Sequence, residues 1–261
     1  MLRNVYLIFI IVFVVFTGIS CTNTRNSVYF YNVQDTTFLP RGKAIQTPIQ
    51  PNDILSITIS SLNAEASAMF NPTTNYNVRS TTVTGNSTEP GGYLVDPDGN
   101  IQFPVLGTIK AAGLTKEELR DKITNLILQK KLLVDPLVDI RYLNFEVTVL
   151  GEVNHPTVIT VPSERISLLK ALGLAGDLTI YGMRNNVLLI REENGVKKTR
   201  HINLNSSNFF NSPFYYLQPN DVVYVQPDKA KIASASRTQQ WIPVFLSSLS
   251  VIVIILDRVK L

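Results

Sequence analysis

Both ends of this chain are apolar and the long stretch between them is not, and that layout restricts the fold more than any motif does. Residues 1–20 read MLRNVYLIFIIVFVVFTGIS. Arg3 gives a positive start, Val5 to Phe16 is an apolar run of 12 residues, and Gly18, Ile19 and Ser20 follow before Cys21. A run of that length is too short to cross roughly 30 Å of hydrocarbon comfortably. Charge first, apolar middle and small residues after is the order of a secretory signal peptide, here 1–20. The competing reading is a signal anchor, because the uncharged stretch Asn4–Thr24 just reaches across a bilayer.

At the far end, residues 238–256 read TQQWIPVFLSSLSVIVIIL and carry no charge over 19 residues. As a helix they reach roughly 28 Å. A lone segment in hydrocarbon satisfies its backbone only as a helix, so the sequence predicts a C-terminal transmembrane helix over 238–258. Trp241 then sits at the membrane interface. Pro243 falls in the first turn, where its missing N–H costs little. Arg258 and Lys260 follow in the headgroup region. At about 100° per residue, Gln240, Pro243, Ser247, Ser250 and Asp257 form one stripe, opposite Phe245, Leu249, Ile252 and Leu256. Two readings stay open. Several copies turn Gln240, Ser247 and Ser250 inward and line a hydrated pore, or the serines bond back to their own turn and help helices pack.

The middle is patterned for a folded, β-rich body. With 45% hydrophobic and 17% charged residues it is too apolar for a disordered chain. Residues 22–47 are polar and irregular and read as a tether. Ile54–Ile59 alternates as a half-buried strand, and 60–91, rich in Ser, Thr and Asn, reads as a long loop. Tyr93–Val95, Asp96-Pro97-Asp98-Gly99 and Ile101–Val105 read as a hairpin with Ile101, Phe103 and Val105 on one face. Thr115-Lys-Glu-Glu118 is a capping box opening a helix with Leu119, Ile123, Leu126 and Ile127 inward. Val138, Ile140 and Tyr142 mark a strand. Further on come strands at Phe145–Val153 and Thr157–Val161 and a short helix at Ser167–Gly173. Val187–Ile190 and Val196–Leu204 form a hairpin about Glu193-Asn194-Gly195, and a last strand holds Tyr224 and Val225. IQPNDILSITI at 49–59 echoes LQPNDVVYVQP at 217–227, and VLGTI at 105–109 echoes VLGEV at 149–153, which suggests two related β modules.

Little points to a reaction. One cysteine excludes an intrachain disulfide framework and a multi-thiolate zinc site, and two histidines do not make a histidine-rich metal centre. No GxSxG, Walker A or HExxH phrase is present. His155 and His201 read as surface residues, and Asp96 and Asp98 as turn residues. Lys197, Lys198 and Arg200 read first as a solvated hairpin face and second as a site for phosphate or an acidic polymer. The net charge of +4, 24 Lys+Arg against 20 Asp+Glu, is spread along the chain and points to no nucleic-acid partner. The expectation is no enzyme, no cofactor and no metal.

Two resemblances carry the functional expectation. The signal followed by Cys21 resembles a bacterial lipobox, although Gly18 stands where leucine is usual. That resemblance implies diacylglycerol on the Cys21 thiol, cleavage before it and acylation (palmitate) of the new amino terminus, several chains giving durable anchoring. The phrases QPNDIL at 50–55, YLVDPDGNIQFPVLGTIKAAGLT at 93–115 and DPLVDIRY at 135–142 resemble the export domain of outer-membrane polysaccharide export lipoproteins. VTVLGEVNHPTVITV at 147–161, LLKALGLAG at 168–176 and LQPNDVVYV at 217–225 resemble their soluble-ligand-binding β-grasp (SLBB) domain. Asn52 and Asn220 replace the usual glycine of a Pro-Gly-Asp turn, and asparagine tolerates positive φ.

The resemblance implies an α+β chain: signal 1–20, lipidated tether 21–47, export domain 48–143, β-grasp-like domain 144–236 and the membrane helix. It implies an outer-membrane, lipid-anchored protein with its bulk in the periplasm, assembled as a homo-oligomeric ring that exports capsular or extracellular polysaccharide. The implied partner is an inner-membrane co-polymerase coupled to a tyrosine kinase. The alternative is a periplasmic glycan-binding lipoprotein or scaffold that transports nothing.

Overall fold

A computed structural model describes residues 28–31, 33–35, 37, 47–71, 92–193, 195–234 and, nearer the C terminus, 241, 243–245, 247–248, 250–251 and 254–255. Alternation builds the first sheet. In β1 (Ile54–Ser60), Leu55, Ile57 and Ile59 are buried while Thr58 and Ser60 face water. A short helix, α1 (Ala64–Ala68), follows, with the Asn63 side chain accepting the Ala66 N–H as its cap. β1 is central, antiparallel to both β2 (Tyr93–Leu94) and β5 (Leu137–Tyr142), and Ile57 lies opposite Ile140 and Ile59 opposite Val138. Between them come the hairpin β3 (Asn100–Phe103) and β4 (Gly107–Lys110), then α2 (Lys116–Gln129). The capping box at Thr115 and Glu118 is complete. Leu119, Ile123 and Ile127 are fully buried. At roughly 1.5–3 kcal/mol for each such side chain, packing of this face supplies most of what holds the helix in place.

The second hydrophobic cluster is built on five strands in the order β7-β6-β10-β8-β9. These are β6 (Glu146–Gly151), β7 (Thr157–Thr160), β8 (Gly182–Glu193), β9 (Val196–Ile202) and β10 (Val222–Pro227). β10 is the last strand in sequence but lies mid-sheet, parallel to β6 and antiparallel to β8. α3 (Leu168–Leu174), capped by Ser167, lays Leu168, Ala171 and Leu172 on the sheet. Gly151 ends β6 with φ +91, and a Cβ there would sit 2.1 Å from the Val225 carbonyl oxygen. Only glycine lets β6 and β10 stay paired while the chain turns away. After β10 comes α4 (Lys229–Ser234).

The sequence reading needs four corrections. Among the described residues, no helix is long and apolar enough to cross a membrane. A span needs about 20 residues, whereas the longest described helix, α2, has 14 and is amphipathic. In the C-terminal segment, Ser247, Ser248 and Ser250 interrupt the apolar residues and donate to the carbonyls of Val244, Phe245 and Ser247. The expected C-terminal transmembrane helix is thus not found among the described residues, and a pore lined by it has no support there. Second, the turn at Asp96–Gly99 forms, but β2 pairs with β1 rather than β3. Third, the strand expected to run to Val105 ends at Phe103, because Pro104 has no N–H to give a ladder. Val105 is exposed at φ +65. Fourth, a helix occupies 64–68 of the expected long loop; residues 72–91 lie outside the described ones.

The internal echo is real locally and absent globally. Asn52 and Asn220 both take positive φ, +71 and +63. In each turn the aspartate carboxylate accepts the N–H of the preceding glutamine, Gln50 to Asp53 at 2.8 Å and Gln218 to Asp221 at 2.7 Å. Yet β1 has antiparallel neighbours and β10 one parallel neighbour, so the repeat is a turn and not a domain. VLGTI is a turn entering β4, whereas VLGEV is strand β6 and its end.

The twin aspartates differ in their counter-charge. Asp221 is fully buried and paired with Arg191, whose Nε and Nη2 donate at 2.9 and 2.7 Å. Asp53 is also buried but has no ion pair among the described residues. Burial pushes its carboxyl up to about 6, against the pull of the Gln50 N–H. Between its ordinary value of 3.8 and about 6, the folded chain holds a proton that the unfolded chain has lost, so stability falls as pH rises through that window and stays lower above it. Asp53→Asn is expected to be neutral or stabilising by about 1–2 kcal/mol at about pH 7.5 and to flatten that dependence. Asp221→Asn strands a buried guanidinium and is expected to cost about 3–5 kcal/mol. Urea midpoints of the three proteins at about pH 4 and 7.5 check both expectations.

Candidate functional site

The two hydrophobic clusters meet at one residue, Tyr142, which packs against both. It ends β5, and four residues later Glu146 opens β6. Asn144 bonds back across this connection: its Oδ1 accepts the Ile54 N–H at 2.8 Å and its Nδ2 donates to the Asn52 carbonyl at 3.1 Å. The QPND turn of the first cluster is thereby tied to the linker. Glu164 holds the other side. Its carboxylate accepts the Tyr142 N–H at 2.5 Å and pairs with the Lys116 ammonium. Glu164 has φ +52, an uncommon conformation for a residue of that size.

A cleft of about 400 Å³ opens beside this clasp, lined by Lys116, Arg120, Asp139, Tyr142, Glu164 and Pro219 among others. That volume falls in the range of small-ligand sites. The Lys116 ammonium stands 5.5 Å from the Tyr142 ring centroid. The Tyr142 hydroxyl is buried without a hydrogen-bond partner among the described residues. Burial, reinforced by the charges of Asp53 and Glu164, pushes that phenol up, so it stays neutral. The cleft offers both signs of charge and an aromatic wall, which suits a polyhydroxylated ligand better than an ion.

A second feature is the pole of the five-stranded domain at residues 177–184. The Tyr29 hydroxyl donates to Asp177, the Arg184 guanidinium lies 5.2 Å from the Tyr29 ring, and the Phe30 N–H donates to Leu204 O at 3.1 Å. Phe30 also stacks on Phe209 and lies tilted against Phe210, ring centroids 4.6 Å apart. From the other end of the chain, the Lys231 ammonium reaches Glu152 at 3.3 Å, and Glu152 in turn accepts the Thr179 hydroxyl at 3.0 Å. The N-terminal segment and α4 are thus fastened around one loop.

Of the residues singled out from sequence, Cys21, Gln240 and Arg258 lie outside the described residues. Trp241 is 55% exposed. Ser247 and Ser250 bond to their own turn. Asp96 accepts the Asn100 N–H at 2.7 Å as a turn residue, and His201 shares a hydrogen bond with Asn186 at 2.6 Å. No group of three or more metal-ligating side chains gathers among the described residues. The sequence did not reveal Glu164 or Tyr29; the positive φ of the one and the long separation of the other leave no local signature.

Residues 43–143 match the family described as polysaccharide biosynthesis/export protein, and residues 146–225 match the SLBB domain. Two relatives are named EPS I polysaccharide export outer membrane protein EpsA. The one from Ralstonia nicotianae is 34% identical over 157 residues, 58% of this chain and 40% of the relative. The one from Ralstonia solanacearum is 34% identical over 146 residues, 53% of this chain and 37% of the relative. The match spans about two fifths of these relatives. Two consecutive domain matches in the order seen in the fold place the chain in the polysaccharide export family.

Glu164→Ala removes the acceptor for Tyr142 N–H and the partner of Lys116. It is expected to cost about 1–2 kcal/mol, since a hydrogen bond to a charged group is worth somewhat more than a neutral one and Lys116 is partly solvated. Amide exchange at Tyr142 should quicken about tenfold. Unchanged exchange at that amide would show that the clasp holds nothing.

Proposed function

We propose that this protein is a lipid-anchored outer-membrane component of a polysaccharide export assembly. The observation that carries the reading is the shared pole: both terminal segments are fastened at the 177–184 loop of the SLBB domain. If Cys21 is acylated, only eight Cα–Cα steps separate the lipidated residue from the docked Tyr29. Fully extended, they reach about 29 Å at most. The SLBB domain then faces the leaflet and the export domain projects away, into the periplasm. An inner-membrane co-polymerase, with its tyrosine kinase, would meet the export domain from the opposite side.

One copy encloses no path. A closed ring of copies does, and a chain with one membrane-facing pole is suited to cyclic assembly. In this reading the domains surround a hydrated passage for capsular or extracellular polysaccharide, and the work is guidance of polymer. The cleft of about 400 Å³ supports a second reading, a glycan-binding lipoprotein without transport.

Two measurements test this. Cys21→Ser is expected to abolish labelling by a palmitate analogue and to release the protein from the outer-membrane fraction; retained labelling rejects acylation at that thiol. Removing the whole chain is expected to eliminate surface polysaccharide while polymer accumulates inside the cell. Undiminished surface polymer rejects export and leaves the binding reading.

A further inference from the structure

The SLBB domain has a second, smaller cleft of about 130 Å³, lined by Leu189, Arg191, Glu193, Lys198, Arg200 and Phe214. Strand register builds it. Arg191 lies opposite Lys198, and Leu189 opposite Arg200. Cross-strand partners point to the same face, so Lys198 and Arg200 of β9 share the face on which Leu189 is buried. Phe214, from the loop before β10, sits beside them, its ring centroid 5.6 Å from the Arg191 guanidinium and 5.9 Å from that of Arg200. The ring is half-buried.

The charges in this cleft do not cancel. Arg191 is committed to Asp221. Lys198 pairs with Glu193 at 2.5 Å, and its hydrogen bond holds the Glu193 carboxyl below the usual range, so that residue stays ionised. Arg200 has no ion pair among the described residues. One cation is therefore left over, held on a paired strand next to an aromatic face. A guanidinium binds a carboxylate through two parallel hydrogen bonds. An aromatic face, negative at its centre, attracts the C–H face of a sugar ring.

We propose that this cleft binds one carboxylate-bearing sugar residue, a uronate or its chemical equivalent, with the sugar ring on Phe214 and the carboxylate on Arg200. The cleft is smaller than most ligand sites, so each contact is weak and exchangeable. Copies in a ring would offer many such contacts at once, which favours retention of a polymer without arresting it. The inference rests on the export reading for the origin of the sugar, and it adds that the exported polymer is acidic.

The test uses the purified full-length chain in detergent and titrates oligogalacturonate by calorimetry, beside the same oligomer with its carboxylates reduced to alcohols. Oligogalacturonate is expected to bind. Reduction of its carboxylates, or Arg200→Gln, is expected to weaken binding about tenfold or more, the size of one charge-assisted contact. Phe214→Leu should weaken it while leaving the salt dependence unchanged, and Arg200→Lys should restore part of what Arg200→Gln loses. Arg141→Gln, an exposed cation of the other domain, should change nothing. No binding of oligogalacturonate, equal binding of the reduced oligomer, or wild-type binding by Arg200→Gln overturns the proposal. None of these touches the export reading, which stands or falls on surface polymer after removal of the chain.

Discussion

The interior of the SLBB domain depends on one charge pair. Asp221 is wholly removed from water at the end of a turn, and an isolated carboxylate there would be pushed towards protonation. Arg191 makes the position tolerable by donating from two nitrogens. That bond fixes much else. It locks the turn that delivers β10 to the middle of the sheet, and Arg191 Nη2 also reaches the Tyr216 carbonyl at 3.4 Å, which pins the loop carrying Phe214. A buried pair of this kind adds little net stability. Its contribution is to specify where β8, β10 and the loop must lie.

The export domain solves the same turn without a cation. Asp53 accepts the same N–H from the same position, yet its carboxyl is left to the penalty of burial. The difference follows from the sheets. β10 has β8 beside it, a long strand able to send Arg191 under the turn, whereas the neighbours of β1 are the two-residue β2 and β5. Asn144 and the clasp of Glu164 with Tyr142 then join one turn to the domain holding the other. The cleft at the junction is a consequence of that joint, since Pro219 of the second turn forms part of its wall.

What the sequence revealed and what it hid divide along range of interaction. Thr115 with Glu118 announces α2, Ser167 announces α3, and Asn52 and Asn220 announce their turns, because each signal is complete within four residues. The pairing of β2 with β1 is non-local, and a Pro-Asp-Gly turn beside it suggests a hairpin that the chain does not close. The clasp joins Glu164 to residues 22 and 48 positions away, and Tyr29 meets Asp177 across 148. No periodicity encodes such contacts. The C-terminal expectation failed for a different reason. Absence of charge over 19 residues points to a membrane span, whereas no helix among the described residues is long and apolar enough to cross one.

The placement of the two functional features on the SLBB domain has a mechanical consequence. β8 runs from Gly182, beside the pole that fastens both chain ends, to Glu193. There, Gln50 Nε2 of the export domain donates to the Glu192 carbonyl at 3.0 Å. The same strand therefore touches the 177–184 pole at one end and the export domain at the other. Its 12 residues, at about 3.4 Å each, set a separation of roughly 40 Å between the two. Arg191 and the basic cleft lie near the export-domain end. On the proposed reading, a polymer arriving from the export-domain side meets the basic cleft before the 177–184 pole.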